Sequence, residues 1–289
     1  MLNNRAPGPE LMDDLTLASD DLRRNLDELE VINTWLGGYQ PVLDALARLR
    51  PRFPTGRALR VADLGSGGGD TLRHVARWAR RHGVAVELVG IDANAFMLDY
   101  ARAKSQDYPE ISYRQFDIFS AEFQAQPFDV LTCSLFCHHF TDDELGALLR
   151  QWARQARVAV VVNDLHRHWL AYGSIWALTR LLGGSYLVRH DAPLSVARAF
   201  RRADWAQLLA RAGLAQYELR WRWAFRWQLV IWPAAGAPAV GEGPVAVAKK
   251  QSAVYSKPPR ACRFACRTGS AAACPPPPEQ PRCSRRPGL

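Results

Sequence analysis

The chain has no long apolar run at its start. Met1-Leu2 is followed by Asn3, Asn4 and Arg5, and acids arrive at Glu10, Asp13 and Asp14. An export leader needs an apolar core of about 7–15 residues, so the sequence gives no support for secretion by a signal peptide. The most apolar stretch, Trp169 to Leu182, covers only 14 positions. A bilayer span needs about 20 residues, so no transmembrane segment is expected, although peripheral contact with a membrane stays open. Cysteine is scarce in the body. Of six cysteines, Cys262, Cys266, Cys274 and Cys283 fall beyond Trp232, without paired C-x-x-C zinc spacing, and only Cys133 and Cys137 precede it. These two read as free thiols in a reducing, cytoplasmic setting. The body also lacks charge of one sign. The formal charge is +9, but residues 233–289 hold nine Lys/Arg against two Asp/Glu, which leaves +2 for residues 1–232. That argues against nucleic acid as the body's partner.

Glycine, by contrast, is concentrated in one place. Arg60-Val61-Ala62-Asp63-Leu64 reads as a short buried strand, and Gly65-Ser66-Gly67-Gly68-Gly69-Asp70 follows it. Leu72, Val75, Ala76 and Ala79 then recur at helical spacing. Strand, glycine turn and helix open a doubly wound nucleotide-type fold. A dinucleotide fingerprint, G-x-G-x-x-G from Gly65, requires glycine at position 70, where the chain has Asp70. An acid ending the strand also suits a cationic ligand better than a pyrophosphate.

Strand and helix alternate from there. Val84 to Asp92 is a second strand ending in an acid, 27 positions after Gly65, and Ala93 to Lys104 is its helix. An acid about 20 residues past such a turn accepts hydrogen bonds from ribose hydroxyls. Ile111 to Phe116 is a third strand, running into Asp117-Ile118, and Phe128 to Ser134 a fourth. Thr141 with Glu144 predicts a capping box at the next helix, and Val158 to Asn163 is a fully buried fifth strand. Right-handed crossovers gather the strand C-termini on one edge, where ligands of open α/β sheets bind.

The D-x-G-x-G-x-G turn, Asp92, Asp117 and the segment after strand four together resemble class I S-adenosylmethionine-dependent methyltransferases. The likeness covers roughly residues 33–232. Asp164-Leu165-His166-Arg167-His168 with Asp191-Ala192-Pro193-Leu194-Ser195 resembles, more loosely, a bacterial subgroup associated with phenolic and quinone polyketide products. The resemblance implies a Rossmann-like, seven-stranded mixed sheet. Its last two strands would come from Tyr217 to Trp232, where Trp221, Trp223, Phe225, Trp227, Leu229 and Ile231 share parity with Arg220, Arg222, Arg226 and Gln228 opposite. A half-buried sheet explains that alternation better than a nucleic-acid stacking surface. The resemblance also implies S-adenosyl-L-methionine as cofactor, held by Asp63, Gly65, Ser66, Gly67, Gly69, Asp92, Ala93, Asp117, Ile118 and Ser134.

Residues 1–18 are expected to be disordered, residues 19–232 to form the domain, and the Pro/Ala/Arg-rich residues 233–289 to be a disordered tail. Ser19, Asp20 and Asp21 start a helix carrying Leu22, Leu26, Leu29, Ile32 and Leu36, and Pro41 opens another through Leu49. These two helices would cover the cofactor cleft. Trp169 to Leu182 is either a helix packed on the body or a roof over a small apolar or aromatic acceptor. The implied reaction is in-line methyl transfer to a phenolic or quinol oxygen. Positioning supplies about 7–11 kcal/mol of barrier lowering. A base adds about 10²–10⁴-fold. Four histidines sit on the two loops nearest the expected methyl: His138, His139, His166 and His168. His166, two residues beyond Asp164, is the first choice of base and His139 the second; zinc ligation and mere shaping of the pocket are the rival roles. Methyl transfer from a sulfonium requires no metal, so none is expected. An NAD-dependent oxidoreductase and a non-catalytic S-adenosylmethionine-binding protein remain alternatives.

Overall fold

A computed structural model of the protein describes residues 2–15 and 17–233. Ser19 accepts the Leu22 N–H and starts α1 (Asp20–Trp35); α2 (Gln40–Leu49) follows with Pro41 in its first turn. Then come β1 (Leu59–Leu64), α3 (Asp70–His82), β2 (Val86–Asp92), α4 (Ala95–Lys104), β3 (Ile111–Gln115), the short α5 (Ala121–Gln124), β4 (Phe128–Ser134), α6 (Asp142–Gln155) and β5 (Ala156–Leu165). α7 (Trp169–Leu181), α8 (Tyr186–Arg198), α9 (Arg202–Arg211), β6 (Tyr217–Arg222) and β7 (Arg226–Ile231) complete the described chain. The sheet order is β3-β2-β1-β4-β5-β7-β6, parallel through β5 and antiparallel at β7 and β6. This is the seven-stranded mixed sheet that the resemblance implies.

The local chemistry explains the elements. The central strands β1, β4 and β5 are buried almost throughout, so their continuous apolar runs fit strands covered on both faces. In α3, Leu72, Val75, Ala76 and Ala79 are buried against the sheet. Each large side chain so buried contributes about 1.5–3 kcal/mol. Gly83, at φ 62°, ends the helix in the left-handed conformation that glycine takes without strain. Thr141 and Glu144 form the expected capping box of α6.

Three segments differ from expectation. Residues 2–15 are not free. Arg5 donates to the carbonyls of His138, Phe140 and Arg198 and to Asp142, and Glu10 is buried. Their polarity suggests disorder, but Arg5 pairs them with carbonyls just before α6 and at the end of α8. Pro193 would be expected to break a helix, yet it lies inside α8. β7 is buried on both faces rather than one, because α2 lies over its polar side, where Gln228 donates to the Pro41 carbonyl. The tail, from residue 234, lies outside the described residues.

Candidate functional site

The turn after β1 is held from two sides. The Ser66 N–H donates to the Ile91 carbonyl at 3.0 Å, and Asp92 accepts the Gly67 N–H at 3.0 Å and the Asn94 N–H at 2.9 Å. Burial raises the Asp92 pKa, against those backbone bonds. Asp70, at the position where a dinucleotide fold needs glycine, opens α3 and accepts the Tyr39 hydroxyl at 2.7 Å.

A cleft lies over this turn. Its walls include Gly65, Gly67, Asp92, Asn94, Phe136, His139, Asp13 and Glu144. A smaller recess beyond Phe136 is lined by Ile91, Ala93, Asp117 and Ile118. The Phe136 ring lies against Gly65, where a Cβ would overlap it. Asp117 is exposed and accepts the Phe119 N–H. Six of the ten expected cofactor residues therefore line the two spaces. Asp63, Ser66, Gly69 and Ser134 are not on their walls. Asp63 is buried under the turn, accepts the Thr132 hydroxyl at 2.7 Å, and burial pushes its pKa up to about 7. Gly69 lies against the Tyr113 hydroxyl, where no Cβ fits.

The charge of the cleft discriminates between cofactors. Its lining holds three carboxylates, Asp13, Asp92 and Glu144, and no lysine or arginine. A pyrophosphate needs cations or a converging set of N–H donors; a sulfonium and an ammonium need carboxylates. The residues present fit S-adenosylmethionine and disfavour NAD.

A second cavity, of about 410 Å³, adjoins the first and shares Met12, Leu135 and His139 with it. It has the size of a small-molecule site. Leu29 and Ile32 of α1, with Leu36 just after it, form one wall, and Ala171, Ser174, Ile175 and Leu178 of α7 form another. α7 is thus a roof, with Trp169, Leu170 and Trp176 exposed on its outer side. α1 lines this second cavity and also places Leu26 against Gly67 and Gly68 of the turn. Leu135, at the junction, has φ 53°, a left-handed conformation that costs a residue with a Cβ about 1–3 kcal/mol and recurs at functional sites.

The histidines separate into two groups. His138 is buried; its Nδ1 is 2.7 Å from Asp164 Oδ1 and its Nε2 3.4 Å from Glu10 Oε1. Burial disfavours the charged ring, but the two carboxylates outweigh it and hold the pKa up to about 10. His139 Nδ1 is 2.5 Å from Asp13 Oδ1, and the ring lines both cavities. Arg198 donates to Asp13 and to the carbonyls of His138 and His139, fixing the pair. Glu10, His138 and His139 bring ligand atoms within 4.8 Å of one another, a metal-compatible cluster.

His166 lines neither cavity. β5 extends two residues past Asn163, and the ring then turns onto Trp227, Phe225 and His168. Trp221 donates to its Nδ1 at 3.3 Å, and burial with neighbouring cations pushes its pKa down to about 4. His168 caps α7 through the Leu170 N–H. Sequence reasoning missed Asp13 and Glu10. The one available signal was a run of acids, Glu10, Asp13 and Asp14, in a segment otherwise lacking pattern.

Comparison with known proteins agrees with this geometry. Residues 61–158 match the family described as "Methyltransferase domain". An uncharacterized methyltransferase of Bacillus subtilis, YcgJ, is 29% identical over 102 residues, 33% of this chain and 38% of that protein. The chain thus spans well under half the length of that curated relative. The citrinin polyketide synthase CMeT domain shares the fold at TM-score 0.53 and 16% identity, over 68% of this chain and 52% of that one. An O-methyltransferase family 2 protein from Planctomyces limnophilus, in complex with apigenin, does so at TM-score 0.54 and 12% identity, over 76% and 63%.

Proposed function

We propose that this chain, in which residues 61–158 are a methyltransferase domain, transfers a methyl group from S-adenosylmethionine to a phenolic or quinol oxygen of a small apolar acceptor. One observation carries the reading: His139, paired with Asp13, stands where the acidic cleft and the apolar cavity meet. The cofactor supplies an activated methyl on sulfur, so the protein's work is alignment and proton removal. Asp92 and the Gly65–Gly67 backbone would hold the cofactor, with Asp117 and Ile118 beyond Phe136. Asp13 stays ionised, with its pKa down at about 2. It accepts only, so the neutral form of His139 carries its proton on Nδ1 and presents a lone pair on Nε2. That nitrogen can take the proton of an acceptor hydroxyl, and Asp13 stabilises the resulting imidazolium. A CMeT domain and an O-methyltransferase share the fold, so the accepting atom is argued from this base and not from the fold.

No helix among the described residues is long and apolar enough to cross a membrane. Cys133 and Cys137 are buried and unjoined with sulfurs 3.5 Å apart, which suits the reducing cytoplasm.

The test is calorimetry with S-adenosylhomocysteine and NAD side by side, then methyl transfer to a panel of alkylphenols and hydroquinones. Binding of S-adenosylhomocysteine alone, with turnover on a phenol, is expected. Binding of NAD instead would return the oxidoreductase reading. Binding without turnover on any acceptor would leave a non-catalytic cofactor-binding protein.

A further inference from the structure

Four arginines of the described chain are buried: Arg73, Arg167, Arg198 and Arg226. Three have a carboxylate: Arg73 pairs with Glu30, Arg167 with Asp204 and Arg198 with Asp13, at 2.9–3.0 Å. Arg226 differs. It stands on β7 opposite Leu165 of β5 and is 2% exposed. Its Nη2 donates to Asn33 Oδ1 at 2.9 Å, but Nε and Nη1 have no hydrogen-bond partner among the described residues. Asp164 and Asp70 act on it only from longer range, and burial pushes its pKa down to about 10, which leaves it charged at neutral pH.

A buried guanidinium without a counter-ion is costly, and replacing such a group with an apolar side chain often stabilises a protein. A site that keeps one is built for an anion that arrives from outside. Arg226 lines the 410 Å³ cavity and not the cleft over the glycine turn. Asn25, on the same cavity wall and 1% exposed, also has both amide atoms unpartnered among the described residues. Leu29, Ile32, Ile175 and Leu178 make the remaining surface apolar.

Resting on the methyltransferase reading above, we propose that Arg226 is the receptor for a carboxylate on the methyl acceptor. The acceptor is then an apolar hydroxy acid. Its carboxylate pairs with the free N–H groups of Arg226, its body lies between α1 and α7, and its hydroxyl faces His139. A carboxylate fits better than a neutral hydroxyl because it can take two N–H bonds and a full charge. The other carboxylate within reach of this chemistry is that of the cofactor's methionyl group. The position of Arg226 in the second cavity favours the acceptor.

The test uses the full chain and the probe pair 4-hexylsalicylate and 3-hexylphenol, which differ by the carboxylate. Calorimetry without cofactor is expected to show the salicylate binding at least tenfold tighter to the wild type. Arg226→Met should bring the two within threefold through a loss of the acid's affinity of at least threefold. A wild type that binds the acid no tighter than the phenol, or not at all, overturns the proposal, as does a preference that survives Arg226→Met. A tenfold loss of S-adenosylhomocysteine affinity in Arg226→Met, with the preference intact, assigns the arginine to the cofactor instead. Should the variant not fold, the wild type still decides: 4-hexylsalicylate must raise Tm more than 4-hexylsalicylamide, and equal shifts overturn the proposal. These readings need no turnover, so a failure of methyl transfer leaves them legible.

Discussion

His139 Nδ1 lies 2.5 Å from Asp13 Oδ1, across 126 positions of sequence. Asp13 is largely buried, which works against its charge, but His139 and Arg198 outweigh burial and hold its pKa at about 2. The carboxylate therefore orients the ring over the whole working pH range. His139→Ala is expected to lower turnover on a phenol about 10²–10⁴-fold. Asp13→Asn keeps the ring in place but no longer stabilises its cation, and should cost about 10–10²-fold with S-adenosylhomocysteine affinity within threefold. A phenol ionises near pH 10, so raising the pH should restore part of either loss. Initial rates from pH 6 to 10 decide: full activity of both variants at pH 7 removes His139 as the base.

The His138–Asp164 pair predicts a pH window for stability. The folded pKa of His138, about 10, lies above its ordinary value of 6.5. Folding then favours the protonated ring, so this contribution is complete below about pH 6.5 and is lost as pH rises through 10. His138→Gln leaves Asp164 and Glu10 buried without their cation, and should cost about 3–5 kcal/mol at pH 6. The difference between variant and wild type should shrink by pH 10. Urea denaturation at the two pH values measures it; an equal difference at both would mean that His138 is neutral in the folded state.

The acidic cleft makes a claim about Asp92. Each charge-assisted bond it offers a ribose hydroxyl contributes about 1.5–3 kcal/mol. Asp92→Asn keeps one acceptor oxygen, and should weaken S-adenosylhomocysteine binding about tenfold to a hundredfold. Asp92→Ala should cost Tm as well, because the Gly67 and Asn94 N–H groups lose their acceptor. Calorimetry and melting curves together separate the two effects. Asparagine and wild type of equal affinity would remove Asp92 from the cofactor.

The sheet was legible because its signals are local. A glycine turn, apolar runs and the spacing of Leu72, Val75, Ala76 and Ala79 read directly as strand, turn and helix. His139 was legible as one of two candidate bases, but its order against His166 was not, because the direction of a loop side chain depends on partners far away in sequence. His166 follows a buried strand, as a crevice residue would, yet Trp227 and Phe225 take its ring. Arg226 reads as the polar side of an alternating strand, and only the α1–α2 cover shows that side to be buried. His166→Ala is accordingly expected to change turnover less than threefold, measured beside His139→Ala. A hundredfold loss would mean that the reacting hydroxyl sits at His166 and not in the cavity.

The leader over residues 2–14 gives the sharpest contrast between composition and role. It has few apolar residues, so by itself it buries too little surface to fold. Its stability comes from partners it satisfies. Arg5 donates to three backbone carbonyls and to Asp142, Asp191 accepts the Leu11 and Met12 N–H groups, and Arg167 donates to the Leu2 carbonyl. Without the leader, Arg198 loses Asp13, His138 loses Glu10, and both cavities lose Met12. Breaking one buried pair costs about 3 kcal/mol or more. For a domain of this size, each kcal/mol shifts Tm by about 2–4 °C. Deletion of residues 2–14 should therefore lower Tm by at least about 6 °C and lower turnover by at least the factor expected of Asp13→Asn, since the carboxylate proposed to orient His139 leaves with the segment. Arg5→Ala, which spares Asp13, should lower Tm by less and leave turnover within tenfold. A deletion variant with unchanged Tm and turnover would show the leader to be the free segment that its composition suggests.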